Sequence, residues 1–204
     1  MDDHDVGHFE RWSSRYDRSV LQRFFFGPIQ EATIAEVDRE SGDVDAVLDV
    51  GCGTGQLLRR LAERHPDAEL VGVDPAPGMV RQAQAASAPE GHIEFIIAGA
   101  EKLPFSDAHF DLVVTTVSFH HWADQQQGLH EVRRVLRNGG LFVLTDGLAG
   151  RWLRWPFAFR RNEGRLHTPD VLDGMLAAQR LRTVRRVPVP WRRQVKITLA
   201  RAAE

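Results

Sequence analysis

Apolar residues recur at the spacing of one helix face from about Asp5 to Asp38: Phe9, Trp12 and Tyr16, then Leu21, Phe24 and Phe25. This pattern predicts two helices with a break near Gly27-Pro28, because proline lacks the N–H that a helix interior needs. The texture then changes. Short apolar runs at Ala46–Val50, Glu69–Val73, Ile93–Ile97, Phe110–Thr115 and Leu141–Thr145 read as strands. Between them, Thr54–His65, Met79–Ala88 and Gln125–Leu136 carry helical periodicity, the first with Leu57, Leu58 and Leu61 on one side. Beyond Gly150 the order is a helix at Pro169–Gln179 and strands at Arg182–Val187 and Val195–Ala200, close enough together to form a hairpin.

Alternating strands and helices, with strands apolar throughout, are the pattern of a parallel sheet covered on both faces. The expected fold is therefore α/β and doubly wound: seven strands, mostly parallel, ending in an antiparallel edge hairpin. Residues 1–204 read as one domain, with a helical cap over 1–43, a core over 44–146, and a substrate-lid segment plus C-terminal hairpin over 147–204.

Composition narrows the class. The chain has 204 residues, 43% hydrophobic and 26% charged, ordinary for a globular protein. One cysteine excludes an intrachain disulfide framework and a cysteine-cluster zinc site. The polar, acidic start MDDHDVGHFERW lacks the apolar stretch of a secretory signal, and no run of about 18 apolar residues occurs, so a cytoplasmic protein is the expectation. The net charge of −2 hides a split, with −11 over residues 1–150 and +9 over 151–204. Such a split fits an acidic substrate, a membrane surface or nucleic acid, or simply two solvated faces that attract one another.

The chemistry concentrates in VLDVGCGTG, Val47 to Gly55, between the first strand and the first long helix. In a doubly wound sheet, ligands bind beyond the carboxyl ends of the strands where strand order reverses. Gly51, Gly53 and Gly55 let the backbone turn sharply and a ligand approach closely, and the helix start offers unpaired N–H groups. Asp74 ends the second strand 23 residues after Gly51, placed to accept both hydroxyls of a ribose. A nucleoside cofactor follows, but the spacing is G-x-G-x-G and not the dinucleotide G-x-G-x-x-G.

At these residues the chain resembles the class I S-adenosylmethionine-dependent methyltransferases, within the small-molecule group that includes the ubiquinone and menaquinone C-methyltransferases. VLDVGCGTG, VGVDPAPGMV, AEKLPFSDAHFDLVVTTVSFHHW and EVRRVLRNGGLFVL carry the resemblance, over about residues 45–146. It implies a Rossmann-like fold and S-adenosylmethionine as cofactor. By that resemblance Gly51, Cys52 and Gly53 line the methionine part, with Asp49 near its amino group. Asp74 holds the ribose, Pro75 and Met79 pack on the adenine, Ala100 and Glu101 sit at its edge, and Thr116 faces the methyl-transfer site. Gly99 departs from the pattern, since relatives often carry an adenine-binding Asp there.

Methyl transfer from a sulfonium is an in-line displacement in which positioning supplies much of the rate, and a base helps where the acceptor is a hydroxyl or acidic carbon. His121, and after it His120, are the candidate bases; both follow the fourth strand. The alternative is that the pair structures the loop with Trp122 packed inward. Adjacent histidines ordinarily diverge, so a shared metal is not expected. Asp146, ending the fifth strand, either binds substrate or caps a helix. Tyr16 either covers the site or packs in the core, and His167 reads as part of the helix start at Thr168-Pro169. Cys52 reads as a small loop residue, although a thiol at a helix start can have a lowered pKa.

The segment Gly150 to Arg161 is basic and aromatic, with Arg151, Arg154, Arg160, Arg161, Trp152 and Trp155, and Arg165 just beyond. It reads as a lid packed on its own domain or over an apolar or anionic acceptor. A membrane-surface contact is less favoured, and nucleic-acid binding is not expected, because no recognition module accompanies it. The functional expectation is methyl transfer from S-adenosylmethionine to a small organic acceptor at O, N or C, releasing S-adenosylhomocysteine. Its rivals are a non-methylating protein that uses the cofactor structurally or in regulation, and a NAD-dependent oxidoreductase, which the glycine spacing disfavours. Neither acceptor identity nor oligomeric state is encoded in these patterns.

Overall fold

Residues 25–86, 93–148 and 166–203 are described in a computed structural model of the chain. The elements run α1 (Gly27–Glu40), β1 (Ala46–Val50), α2 (Gln56–Ala62), β2 (Glu69–Asp74), α3 (Pro77–Ala85), β3 (Ile93–Ile97), β4 (Phe110–Thr116), a single 3-10 turn (Phe119–His121), α4 (Gln125–Val135), β5 (Leu136–Gly147), α5 (Pro169–Ala178), β6 (Leu181–Val189) and β7 (Arg192–Ala202). The seven strands form one sheet in the order β3-β2-β1-β4-β5-β7-β6. Only β7 runs against its neighbours, pairing antiparallel with β5 and β6. The expected doubly wound, mostly parallel sheet with an edge hairpin is therefore the observed one.

The strands are buried on both sides because their alternate residues feed two apolar layers. Leu48, Val113, Phe142 and Leu144 face α4 and α5 with Val132 and Leu176. Val47, Leu112, Val114 and Val143 face α1 and α2 with Ile34, Val37 and Leu58. This two-sided burial explains the unbroken apolar runs in the sequence. Helix α1 starts at Gly27 with Pro28 in its first turn, where a missing N–H costs nothing. It buries Ile29, Ile34 and Val37 completely or nearly so, so this helix is core as much as cap.

Several boundaries differ from expectation; α3 spans Pro77–Ala85 where Met79–Ala88 is expected, and β6 spans Leu181–Val189 where Arg182–Val187 is expected. β5 begins at Leu136 and ends at Gly147, longer than Leu141–Thr145, because Phe110 pairs with Leu136 across a bulge before regular pairing resumes at Leu112 with Leu141. α2 is two residues later at its start, since Gly55 precedes it at φ 75°. β7 starts at Arg192, before Val195, because its hairpin with β6 closes on a two-residue turn. Tyr16, Trp152 and Trp155, and the first expected helix, lie outside the described residues.

The strand order reverses between β1 and β4, which are parallel neighbours. Both neighbouring connections leave from the carboxyl edge there, which opens a crevice at Val50–Gly51 and Thr116. No described helix is long and apolar enough to cross a membrane.

Candidate active site

The glycine loop is fastened to the end of β2. Gly51 and Cys52 both donate their backbone N–H to the Val73 carbonyl, at 2.8 and 3.0 Å. Asp74 completes the clasp: Oδ2 accepts from Gly53 N and Oδ1 from Ala76 N, each at 2.9 Å. Each carboxylate oxygen keeps a second lone pair for another donor. Gly51, Gly53 and Gly55 all have positive φ, at 78°, 55° and 75°. Gly51 is also sterically obligatory, since a Cβ there would lie 1.8 Å from Ser118 Oγ. Space beside Gly53 is open, with nothing within 4 Å of a Cβ position.

Asp49 and Asp74 are 2% and 8% exposed. Burial, and then the charge of Asp74, push the Asp49 carboxyl up to about 8. Burial raises Asp74 to about 6 against its two backbone hydrogen bonds. Among the described residues, Asp49 Oδ1 has no hydrogen-bond partner. A buried carboxyl with an unpartnered oxygen is a costly arrangement unless a donor or cation arrives. The ammonium group of an amino-acid-bearing cofactor satisfies that demand, so the residues present fit S-adenosylmethionine. Cys52 is buried, and burial, then the charges of Asp49 and Asp74, push its thiol well up; the lowered value weighed for a thiol at a helix start does not hold, because these outweigh the Arg59 charge.

On the adenine side, Met79 and Ala100 are buried and Pro75 is half-buried. A Cβ on Gly99 would stand 2.8 Å from Glu101 Oε2, so the Glu101 carboxyl fills the space a side chain at 99 would enter. Glu101 is anchored there by Ala123 N at 2.6 Å and Asp124 N at 3.3 Å.

The other wall is the β4–β5 edge. Asp146 reaches the 3-10 turn: His120 Nδ1 lies 2.8 and 2.9 Å from its two oxygens, and its oxygens also accept from His120 N and Gly147 N. Asp146 thus binds the His120 ring and a backbone N–H of the 3-10 turn. Because a carboxylate only accepts, Nδ1 is the ring nitrogen that donates to Asp146. Burial raises the Asp146 carboxyl, but the His120 charge and hydrogen bonds outweigh it and hold the group below the usual range. The expectation that His120 and His121 diverge fails: their ring centroids lie 4.0 Å apart, tilted at 41°, because the tight turn places successive side chains side by side. Trp122 is buried as expected, edge-on to Phe119. His167 precedes α5 and its Nε2 lies 2.7 Å from Gln125 Oε1.

Thr116 ends β4 beside Thr145, which shares a 2.8 Å hydrogen bond with Thr33 of α1. Thr116 Oγ1 and Gln30 Oε1 are buried with no partner among the described residues. Ser118, Thr33 and Thr145 belong to this wall, yet nothing in the linear pattern marks them. Among the described residues no group of three or more His, Cys, Asp or Glu could hold a metal ion.

Residues 48–144 match the family profile described as a methyltransferase domain. The chain is 38% identical over 139 residues to a malonyl-[acyl-carrier protein] O-methyltransferase of Geobacter sulfurreducens, covering 67% of this chain and 50% of that protein. It is 45% identical over 101 residues to a demethylmenaquinone methyltransferase of Deinococcus radiodurans, covering 49% and 42%. The chain spans about half the length of these curated relatives. A Haloferax volcanii methyltransferase solved in complex with the Trm112 methyltransferase activator superposes with a TM-score of 0.82 at 17% identity, covering 96% of this chain and 98% of that one, a likeness of fold. With the profile lying over the glycine loop, Asp74 and the β4–β5 edge, the chain belongs to the class I S-adenosylmethionine-dependent methyltransferases, a family whose cofactor is S-adenosylmethionine.

Proposed function

We propose that the chain transfers a methyl group from S-adenosylmethionine to a small organic acceptor. The observation that carries this reading is the Asp49–Gly53–Asp74 cradle, where a buried carboxyl with an unpartnered oxygen lies near a strand-end aspartate clasping the glycine loop. In this reading Asp49 receives the cofactor ammonium, Gly51, Cys52 and Gly53 give the methionine part its backbone surface, and Asp74 accepts the ribose hydroxyls. Pro75, Met79 and Ala100 hold the adenine, and Glu101 supplies at its edge the carboxylate that Gly99 lacks. When bound, the cofactor supplies an electrophilic methyl on a sulfonium. Thr116 bounds the transfer site, and the lid residues Tyr16, Trp152 and Trp155 stay part of the proposal. A small acceptor suits the chain because one relative is a demethylmenaquinone methyltransferase; the methylated atom is O, N or C.

Of the two candidate bases, we favour His120 over His121, since His120 is held by the buried Asp146 carboxylate. Asp146 positions it. Replacing His120 by Ala should lower kcat about 100-fold or more with an acceptor that must lose a proton, and leave S-adenosylhomocysteine affinity within about twofold. D146N should lower kcat while KM for the cofactor holds. Equal losses in kcat and in S-adenosylhomocysteine binding would mark the pair as a loop anchor.

The cofactor assignment is tested by calorimetric titration with S-adenosylmethionine, S-adenosylhomocysteine and NAD. Binding of the first two and not the third is expected. Asp74→Ala should weaken it at least tenfold, about 1.4 kcal/mol; unchanged affinity would remove Asp74 from the ribose site.

A further inference from the structure

The β6–β7 hairpin closes on Pro190 and Trp191. Trp191 has φ 62° and is fully exposed, at 101%. A turn with proline at its first central position and positive φ at its second ordinarily takes Gly or Asn there. A tryptophan in that place accepts backbone strain and, among the described residues, packs against nothing that shields it from water. An observed outlier of this kind argues for a role outside the fold.

Its position and charge give the role a direction. The last β5–β7 pair is Gly147 with Val195, and Leu148 N then bonds Gln194 O. Residues 189–193 therefore project about 10 Å past the carboxyl end of β5, on the edge that carries the cofactor crevice. Phe25, at the start of α1, reaches the same edge: Arg192 lies over its ring at 4.2 Å, and Phe26 meets Phe25 edge-on at 5.0 Å. Arg193 is exposed beside Trp191. Between Asp173 and Glu204 the sequence has seven arginines, one lysine and no acidic residue. Arg185 and Arg186 pair inward with Glu36 and Asp173, and residues 189–193 contain no Asp or Glu.

We propose that this tip docks on an anionic lipid bilayer, with Trp191 seated at the headgroup level and Arg192, Arg193 and Lys196 against the lipid phosphates. Tryptophan is favoured at that boundary because its ring is apolar and its N–H polar, and basic residues near an anionic leaflet each add attraction. Neither signal anchors a protein strongly alone; together they give reversible binding. Docked so, the mouth of the crevice faces the membrane, and an apolar acceptor would be delivered from it. The docking stands apart from the methyl-transfer reading; only this consequence for the acceptor rests on it.

Sedimentation with vesicles of phosphatidylcholine, or of phosphatidylcholine and phosphatidylglycerol at about 7:3, tests the proposal. The protein should partition about tenfold or more better onto the anionic vesicles, and 0.5 M NaCl should remove the difference. Trp191→Ser and Arg193→Ser should each lower that partition about fivefold, with S-adenosylhomocysteine affinity and thermal midpoint unchanged or, for Trp191→Ser, the midpoint slightly raised. No preference for anionic vesicles, or binding indifferent to both substitutions, overturns the docking. Trp191-dependent binding to polyglutamate without vesicle binding overturns it in favour of an acidic protein partner. If vesicle binding depends on Trp191 but S-adenosylhomocysteine fails to bind the unaltered protein, the docking stands and the methyl-transfer reading falls.

Discussion

Gly51→Ala should reduce S-adenosylmethionine affinity by about 100-fold or more, near 2.7 kcal/mol. Two effects combine. The residue sits at φ 78°, where a Cβ costs about 1–2 kcal/mol. The added methyl would also lie 1.8 Å from Ser118 Oγ and 2.6 Å from Ser118 Cβ, so turning the hydroxyl aside is not enough. The loop and the β4 end must separate, and the cofactor crevice lies between them. Thermal unfolding should fall by several degrees, since about 1 kcal/mol moves the midpoint of a chain this size by roughly 2–4 °C. Adding Ser118→Gly removes the clash and leaves the backbone strain, so the double variant should recover about half of the lost binding energy in calorimetry. Wild-type affinity in Gly51→Ala alone would show that the loop does not shape the cofactor site.

Cofactor affinity should rise with pH between 6 and 8, and a proton should leave on binding. Asp49 is raised to about 8 in the folded protein, far above its unfolded value. Between those values the folded state holds a proton that the unfolded state has released, so stability of the ligand-free protein falls as pH climbs toward 8. Asp74, raised to about 6, acts in the same direction up to its own value. An arriving ammonium group favours the Asp49 carboxylate and must displace that proton. Apparent affinity should therefore increase by about tenfold to fiftyfold from pH 6 to pH 8 and then level off. Titration at pH 7 in two buffers of different ionisation enthalpy should report close to one proton released. Asp49→Asn should abolish the release and flatten the pH dependence, leaving affinity at pH 6 little changed. A flat profile in the unaltered protein would mean that Asp49 is already ionised and partnered.

Much of this site was legible because its parts are local. Gly51, Gly53 and Gly55 announce themselves, since few other residues accept their backbone angles, and Asp74 follows a strand readable from its apolar run. The β1 and β3 boundaries were read to the residue for the same reason. The acceptor wall was not legible. Ser118 matters through contact with Gly51, 67 positions away, and Thr33 through a hydrogen bond 112 positions away in Thr145. Such pairings leave no periodic trace. The sequence pattern ranked His121 above His120, whereas the partner that distinguishes them, Asp146, is brought in by β5. Trp191 drew no notice as one aromatic among many, until the hairpin register placed it on a two-residue turn at the ligand edge.

By itself, then, the sequence determined the alternation of strands and helices, the glycine loop and the acid that follows it, because short-range backbone sterics and the burial of one or both strand faces are written in neighbouring residues. Tertiary structure alone decided which side chains meet at the crevice, which carboxylates lose their solvent and hold protons, and which aromatic is left in water. Those outcomes depend on the strand order β3-β2-β1-β4-β5-β7-β6, which brings distant segments to one edge and removes water from what lies between them.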